Sequence, residues 1–97
     1  MQLTERQKTF LRRQAHNLKP VVTVGDKGIT PALVQELENA LEHHELIKIK
    51  VRLGDRDSRN LAIEQLAKAS RADLISRVGN IAAMYRPKKK NPKIILP

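Results

Sequence analysis

Apolar residues recur at steps of three and four near the start of the chain, and this spacing predicts an amphipathic helix. The sequence Thr4-Glu5-Arg6-Gln7 fits a capping box, in which Thr4 and Gln7 each bond the other's free backbone amide. Lys19-Pro20 ends this first helix, because proline lacks the amide that a further turn needs. The stripe that we expect to face inward comprises Leu3, Gln7, Phe10, Leu11, Gln14, Ala15 and Leu18.

The next part of the chain predicts a strand, a helix and a second strand. The β-branched run at residues 21–24 suits a buried strand, and residues 25–28 must then form a turn. Thr30 followed by Pro31 predicts a helix over residues 31–44, since the hydroxyl can cap its first turn. Residues 46–53 alternate in polarity, which predicts a strand with two different faces. The apolar face comprises Ile47, Ile49, Val51 and Leu53, and the basic face comprises Lys48, Lys50 and Arg52.

A third helix and a β-hairpin follow. Asp57 is the expected N-cap of the helix, which ends near Ser70. The predicted strands at residues 73–78 and 81–86 flank Gly79-Asn80, which is a two-residue turn signal. We therefore expect these two strands to pair with each other.

The order α-β-α-β-α-β-β predicts the fold class α/β, of the α+β type in two layers, with three helices and a four-stranded mixed sheet in one domain over residues 1–86. Right-handed crossovers make the first three strands parallel, and the hairpin makes the fourth antiparallel. The loops after the first three strands then share one end of the sheet, where ligands of open α/β sheets bind. We expect residues 25–28, 54–56 and 77–80 to be neighbours there.

The composition adds a strong positive charge to this fold. The 97 residues include 19 Lys and Arg against 10 Asp and Glu, and the resulting formal charge of +9 favours an anionic partner. The absence of cysteine excludes a disulfide framework, a thiol nucleophile and a cysteine-ligated zinc site. No apolar run is long enough for a membrane span and the start lacks a signal-peptide pattern, so we expect a cytoplasmic protein without a membrane partner. We also expect a monomer.

The Gly25-Asp26-Lys27-Gly28 loop is the first candidate anion site. Because it lies between a strand and a helix N-terminus, its amides and the helix dipole favour an anion, and glycine allows a phosphate backbone to approach closely. Lys27 adds a positive charge that Asp26 offsets locally. The alternative interpretation is that both glycines only form the turn between strand and helix.

Other basic residues form three further groups. Lys48, Lys50 and Arg52 recur roughly 6.6 to 6.8 Å apart along a strand, a spacing comparable to that of successive phosphates, although a solvated face or a protected edge strand fits equally well. Arg12-Arg13 and Lys19 form a second group, which taken alone fits a solvated helix face. The third group, Lys88-Lys89-Lys90, favours non-specific phosphate binding over a purely solubilising role.

The third group belongs to a basic tail at residues 87–97, where lysine and proline dominate the composition. We expect this tail to be extended and mobile, because it is too charged to fold by itself. Its apolar sequence Ile94-Ile95-Leu96 is the part that could dock. Since the fourth strand runs antiparallel to the others, we expect the tail to begin at the end of the sheet opposite the glycine loop.

The scarcity of aromatic residues and the lack of a catalytic motif exclude further classes of function. Phe10 and Tyr85 are the only aromatic residues, which argues against proteins that stack bases on exposed rings. His43 and His44 point about 100° apart on a helix and are poorly placed to bind one metal ion. No serine or carboxylate pair has the spacing of a nucleophile or acid–base motif. We therefore expect neither an enzyme nor a cofactor.

Several motifs together resemble one family over nearly the whole chain. They are Leu3-Thr4, the helix end Ala15-His16-Asn17-Leu18-Lys19-Pro20-Val21-Val22, the loop segment Val24-Gly25-Asp26-Lys27-Gly28-Ile29-Thr30, the strand Glu45-Leu46-Ile47-Lys48-Ile49-Lys50-Val51, and the segment from Val78-Gly79 to Met84-Tyr85-Arg86-Pro87. This set closely resembles the CRM domain (chloroplast RNA splicing and ribosome maturation) in its bacterial single-domain YhbY form.

The resemblance implies a fold similar to the C-terminal domain of translation initiation factor three. It also implies binding of structured RNA through the GxxG loop and nearby basic residues, and association with precursors of the large ribosomal subunit. By the same resemblance Gly25 and Gly28 form a backbone clamp and Lys27 contacts a phosphate. A scaffold for ribosomal proteins and a nucleoid-type DNA binder are the alternatives. The candidate RNA-binding residues are Arg12, Arg13, Lys19, Gly25, Lys27, Gly28, Thr30, Lys48, Lys50, Arg52, Arg56, Arg77, Arg86, Lys88, Lys89 and Lys90.

Overall fold

Three helices and four strands follow one another in the predicted order in the computed structural model, which describes residues 2–97. The confirmed fold class is a mixed four-stranded sheet with three helices. The elements are α1 (Glu5–Ala15), β1 (Pro20–Val24), α2 (Pro31–His44), β2 (Leu46–Val51), α3 (Arg56–Ser70), β3 (Asp73–Val78) and β4 (Ile81–Tyr85).

Each helix begins at a polar side chain that accepts a hydrogen bond from its first turn. The predicted capping box is confirmed, because the Thr4 hydroxyl accepts from the Gln7 amide at 3.1 Å and the Gln7 side chain accepts from the Thr4 amide at 3.0 Å. For α3 the predicted cap was wrong. Asp55, not Asp57, accepts from the Ser58 amide at 2.7 Å, and Asp57 lies in the first helical turn, where its charge suits the helix dipole.

The sheet has the strand order β1-β2-β4-β3, with β1 parallel to β2 and β4 antiparallel to both of its neighbours. The first three strands therefore run in one direction, as predicted. Two backbone hydrogen bonds join the loops at their C-terminal ends: Arg52 donates to the Val24 carbonyl and Val51 donates to the Asn80 carbonyl, both at 2.8 Å. The predicted neighbours do meet at this end, which we call the loop end of the sheet.

Helices cover both faces of the sheet. Helices α2 and α3 bury the face that contains Val24 and Ile49, whereas Leu11 of α1 packs on the opposite face against Leu46 and Tyr85. The layers therefore number three rather than the expected two. The alternation of polarity in β2 predicted only one covered face. Helix α1 covers the start of the strand and leaves the lysines further along it only half-buried, so the second covered face had no apolar pattern.

The tail differs from the extended, mobile segment predicted for residues 87–97. It folds back so that the backbone amides of Lys88, Lys93 and Ile94 all donate to the carboxylate of Glu45. Ile94 and Leu96 then pack against the core beneath α1, which confirms that this apolar end docks. The tail begins at the end of the sheet opposite the loop end, since Tyr85 pairs with the first residue of β2. No helix within residues 2–97 is long and apolar enough to cross a membrane.

Candidate nucleic-acid interface

The Gly25-Asp26-Lys27-Gly28 loop forms a tight, open turn at the loop end of the sheet. The Gly28 amide donates to the Gly25 carbonyl at 2.9 Å, and Gly28 has a φ of +68°, a conformation that favours glycine. The first three loop residues are exposed, and a Cβ atom built on either glycine would meet no atom within 4 Å. A polymer backbone can therefore approach both glycines from solvent.

Thr30 fixes the helix that begins beyond this loop. Its side-chain oxygen accepts from the Leu33 amide at 3.1 Å, so the observed contact of Thr30 is a helix cap. The cap holds the N-terminus of α2 beside the loop, where the helix dipole favours a negative charge. Pro31 has no amide N–H and the amides of Leu33 and Val34 both donate to Thr30, so the dipole contributes more here than free amides do.

A basic stripe along β2 leads into the loop. Lys48 and Lys50 are half-buried and Arg52 is exposed, and all three lie on the α1 side of the sheet. The Lys48 ammonium donates to the carbonyl of His16 at 3.2 Å, just beyond the end of α1. At the other end of the stripe, the bond from Arg52 to Val24 places Arg52 next to the first loop residue.

A second basic group lies at the start of α3. Arg56 and Arg77 line a depression of about 240 Å³ together with Arg59 and Gly79. The guanidinium of Arg59 donates to the carbonyls of Leu53 at 3.2 Å and Gly54 at 3.4 Å, and Arg77 donates to the Gly79 carbonyl at 3.4 Å. Arg59 was not predicted, although its spacing of three from Arg56 on a helix places both on one side.

The two arginines near the end of α1 diverge. Arg12 turns toward β3 and its Nε donates to the carbonyl of Ile75 at 3.2 Å, whereas Arg13 lines a shallow depression with Phe10 and Pro97. Lys19 is exposed directly before β1. Of these three residues, Arg12 is therefore the one held over the basic face of the sheet.

Arg86 is held in a network of polar contacts at the end of the sheet opposite the loop end. Its side chain is 16% exposed, and its guanidinium donates to Glu38 at 2.6 Å and to the Ser70 carbonyl at 2.9 Å. A weaker contact of 3.4 Å reaches Glu42. Because carboxylates already occupy this guanidinium and surround it, Arg86 is poorly placed to bind a phosphate.

The tail lysines lie at the opposite end of the sheet. Lys88 is half-buried and its backbone is tied to Glu45, whereas Lys89 and Lys90 are exposed. The six residues of β2 separate this end from the loop end, a distance of about 20 Å at the usual rise of a strand. The two groups of cations therefore do not form one site.

Glu45 is the residue that holds the tail, and no pattern in the sequence predicts this role. Burial alone would raise the pKa of its carboxyl, but the three tail amides and the positive charge of Lys88 outweigh burial and hold this pKa below its ordinary value. The carboxylate therefore stays ionised at neutral pH, and both of its oxygens accept hydrogen bonds from the tail. A glutamate at the end of a helix gives no signal in the sequence for such a contact.

The two aromatic rings differ in exposure: Tyr85 offers no surface for base stacking, and Phe10 is half-buried. Tyr85 is buried in the cluster beneath α1, and Phe10 packs against the same cluster. Burial, together with the charges of Glu45 and Asp73, raises the pKa of the Tyr85 hydroxyl. Within residues 2–97 there is also no group of three His, Cys, Asp or Glu side chains that could hold a metal ion.

Residues 3–86 match the model of the CRS1 / YhbY (CRM) domain family. The chain belongs to this family. An RNA-binding protein of Haemophilus influenzae is 43% identical over 95 residues, which cover 98% of this chain and 95% of that protein. The Bacillus subtilis protein named "Probable RNA-binding protein YqeI" is 39% identical over 95 residues, 98% of this chain and 99% of its own length.

The fold of this CRM domain is also similar to a solved structure. The solution structure of SAV1595 from Staphylococcus aureus superposes with a TM-score of 0.83 at 35% sequence identity, and the match covers 99% of this chain and 100% of that one. The family match ends at residue 86, so the tail that packs on Glu45 lies beyond it.

Proposed function

We propose that this chain is a non-catalytic, cytoplasmic, monomeric protein that binds structured ribosomal RNA in precursors of the large ribosomal subunit and assists their assembly. The observation that carries the proposal is the open GxxG loop, joined without interruption to the basic stripe of Lys48, Lys50 and Arg52. The ribosomal part of the proposal rests on the resemblance to the YhbY form of the family.

The arrangement suits a phosphate backbone better than it suits exposed bases. Gly25 and Gly28 permit close approach, Lys27 is exposed between them, and the stripe continues the path of positive charge over the sheet. Contacts of this kind position a nucleic acid without recognising its sequence. Recognition by shape and backbone is the usual mode for structured RNA.

The names of the relatives support the same class of partner. The Haemophilus influenzae relative is named an RNA-binding protein, and its similarity extends over nearly the whole of both chains. The basic residues at the loop end are the part of this chain to which we assign that activity.

Gly25 provides the sharpest test of the loop. Its backbone is not in the positive-φ region and space around it is open, so a side chain at this position leaves folding intact. We expect Gly25→Asp to weaken binding to a structured fragment of large-subunit RNA at least tenfold, and the neutral Gly25→Asn to weaken it less, as measured by fluorescence anisotropy. Equal affinity of Gly25→Asp and the unmodified protein would leave the glycines with only a turn-forming role.

Salt titration tests the phosphate contacts as a group. If about six phosphates are neutralised, the logarithm of the association constant falls with the logarithm of salt concentration with a slope of about −4 to −5.

Equal affinity for duplex DNA at physiological salt would instead favour a nucleoid-type protein. Retained association with ribosomal particles after replacement of Lys27, Lys48 and Lys50 would favour a scaffold that contacts ribosomal proteins. Crosslinking in cells followed by sequencing of the bound RNA identifies the segment.

A further inference from the structure

A groove of about 440 Å³ lies between the C-terminal end of α1 and the sheet, beside the basic stripe. Its lining is largely apolar: Ala15 comes from α1, and Val78, Ile81 and Ala83 come from the strands below. Val78 is 78% exposed, which is unusual for a valine in a strand. The groove is therefore a recess with an apolar floor that is open to solvent.

Two cations stand at the rim of this groove, and backbone carbonyls hold both in place. Arg12 donates through its Nε to the Ile75 carbonyl, which leaves the N–H groups of its two terminal nitrogens for a ligand. Lys48 donates one of its three ammonium N–H groups to the His16 carbonyl. Charged groups that are fixed before binding lose little side-chain freedom when a ligand arrives. No Asp or Glu within residues 2–97 lines the groove, so its electrostatic complement is an anion.

The strand register connects the groove to the proposed RNA path. Lys50 of β2 pairs with Ile81 of β4, which in turn pairs with Val78 of β3, so the next cation of the stripe lies beside the apolar floor. A chain of phosphates that follows the stripe toward the GxxG loop would therefore pass along the edge of the groove. A phosphate on the rim and an apolar surface below it match the two parts of a nucleotide.

We propose that this groove takes one unpaired nucleotide of the bound RNA, with its base on the apolar floor and its phosphate at Arg12 and Lys48. The proposal rests on the RNA-binding function proposed above. It gives the protein a preference for RNA that contains a bulged or looped-out base. Aliphatic side chains here take the place that aromatic rings hold in other RNA-binding domains.

Three hairpin RNAs with the same stem and loop test the groove: one fully paired, one with a single bulged nucleotide, and one with an abasic bulge at the same position, which has the same charge as the bulged hairpin. We expect the unmodified protein to bind the bulged hairpin roughly tenfold more tightly than the other two, which corresponds to burial of about 55 Å² of apolar base surface. The double variant Val78→Thr/Ile81→Thr, which keeps charge and strand propensity, should lose this preference and keep its affinity for the paired hairpin. Leu61→Gln, at an exposed apolar position of α3, is the matched control and should keep the preference.

The outcomes separate this proposal from the one on which it rests. Equal binding of all three RNAs by the unmodified protein would overturn the groove assignment and leave RNA binding standing. The absence of binding to every RNA would overturn both. If the double variant keeps every RNA affinity but no longer associates with ribosomal particles, the groove binds a protein and the assignment to a nucleotide is wrong.

Discussion

The carboxylate of Glu45 accepts a hydrogen bond of 2.7 Å from the backbone amide of Lys93, 48 residues later in the chain. The same carboxylate accepts from Ile94 and Lys88, both at 2.9 Å, so the tail turns around one buried charge. Glu45 itself has a positive φ of 65° at the end of α2, a conformation that glutamate rarely adopts. The tail contacts compensate for that backbone strain and for the desolvation of the charge.

Replacing Glu45 by glutamine should release the tail without unfolding the domain. An amide cannot accept from all three backbone donors, and a buried donor without a partner costs about 1–3 kcal/mol in the free energy of unfolding. Hydrogen exchange should speed up at the amides of Lys88, Lys93 and Ile94, and urea denaturation should report the loss of stability. Glu42→Gln, which removes only a partly exposed contact to Arg86, is the control. Unchanged exchange at the three tail amides would show that the carboxylate does not hold the tail.

The tail should also respond to acid. Since folding lowers the pKa of Glu45 below its ordinary value of 4.5, its contribution to stability is fully present above pH 4.5. It is lost as the pH falls from there through the lower pKa of the folded state. Tail-amide exchange, corrected for its intrinsic pH dependence and measured between pH 7 and pH 3, should show this transition in the unmodified protein and not in Glu45→Gln. The same transition in both proteins would assign the effect to another group.

Arg86 should contribute to the stability of the fold and not to the affinity for RNA. Its guanidinium joins α2 to the end of α3 through Glu38 and the Ser70 carbonyl. Arg86→Gln leaves these partners without their charged donor and should lower the free energy of unfolding by about 1–3 kcal/mol. The RNA affinity of the folded variant should stay within about twofold of the unmodified protein, apart from the loss of one distant charge. A tenfold loss of affinity in a folded Arg86→Gln protein would return Arg86 to the RNA surface.

Substitutions at Gly28 should separate the effect of backbone conformation on stability from the effect of charge on RNA affinity. Its φ of +68° disfavours most side chains, but asparagine and aspartate both tolerate this region better than other residues do. Gly28→Asn and Gly28→Asp should therefore have similar melting temperatures, while Gly28→Asp binds structured RNA several-fold more weakly because its carboxylate repels the phosphate. Equal RNA affinities of the two variants in low salt would argue that no phosphate lies near Gly28.

Periodicity determined what could be predicted of the fold. The alternation of residues 46–53 and the helical spacing of residues 31–44 report which side of each element is buried. The structure confirms both elements, although the strand already ends at Val51. The position of the third helix cap was ambiguous, because Asp55 and Asp57 both precede a suitable first turn. The third layer was missed because α1 covers only part of the sheet face that carries Lys48 and Lys50.

Long-range polar contacts could not be predicted from the sequence. The partners of Glu45 are backbone amides, which every non-proline residue possesses, so no side-chain pattern marks them. In the sequence, Arg86 is one more cation at the start of a basic tail, and Glu38 and Glu42 fit the solvent-exposed face of a helix. Nothing in this pattern predicts that Arg86 pairs with both glutamates. The loop end could be anticipated, because strand direction alone brings the GxxG loop and the β3–β4 turn together.

The exposed tail lysines should contribute to binding only when the RNA is long enough to reach them. Lys89 and Lys90 belong to the tail that begins at the far end of β2, and this strand is about 20 Å long. If both contact phosphates, Lys89→Ala/Lys90→Ala should reduce the magnitude of the salt slope by about 1.4 to 1.8 for a long structured RNA. For a short RNA confined to the loop end the slope should not change.

A second double variant controls for net charge. Arg6→Ala/Lys68→Ala removes two exposed cations from the helices and lowers the net charge by the same amount. Its salt slope should match that of the unmodified protein on both RNAs, because only cations that contact phosphates release counterions. If both double variants reduced the slope equally, the tail would act only through the overall charge of the protein. If only the tail variant does so, and only on the long RNA, a single RNA contacts the protein at both ends of the sheet.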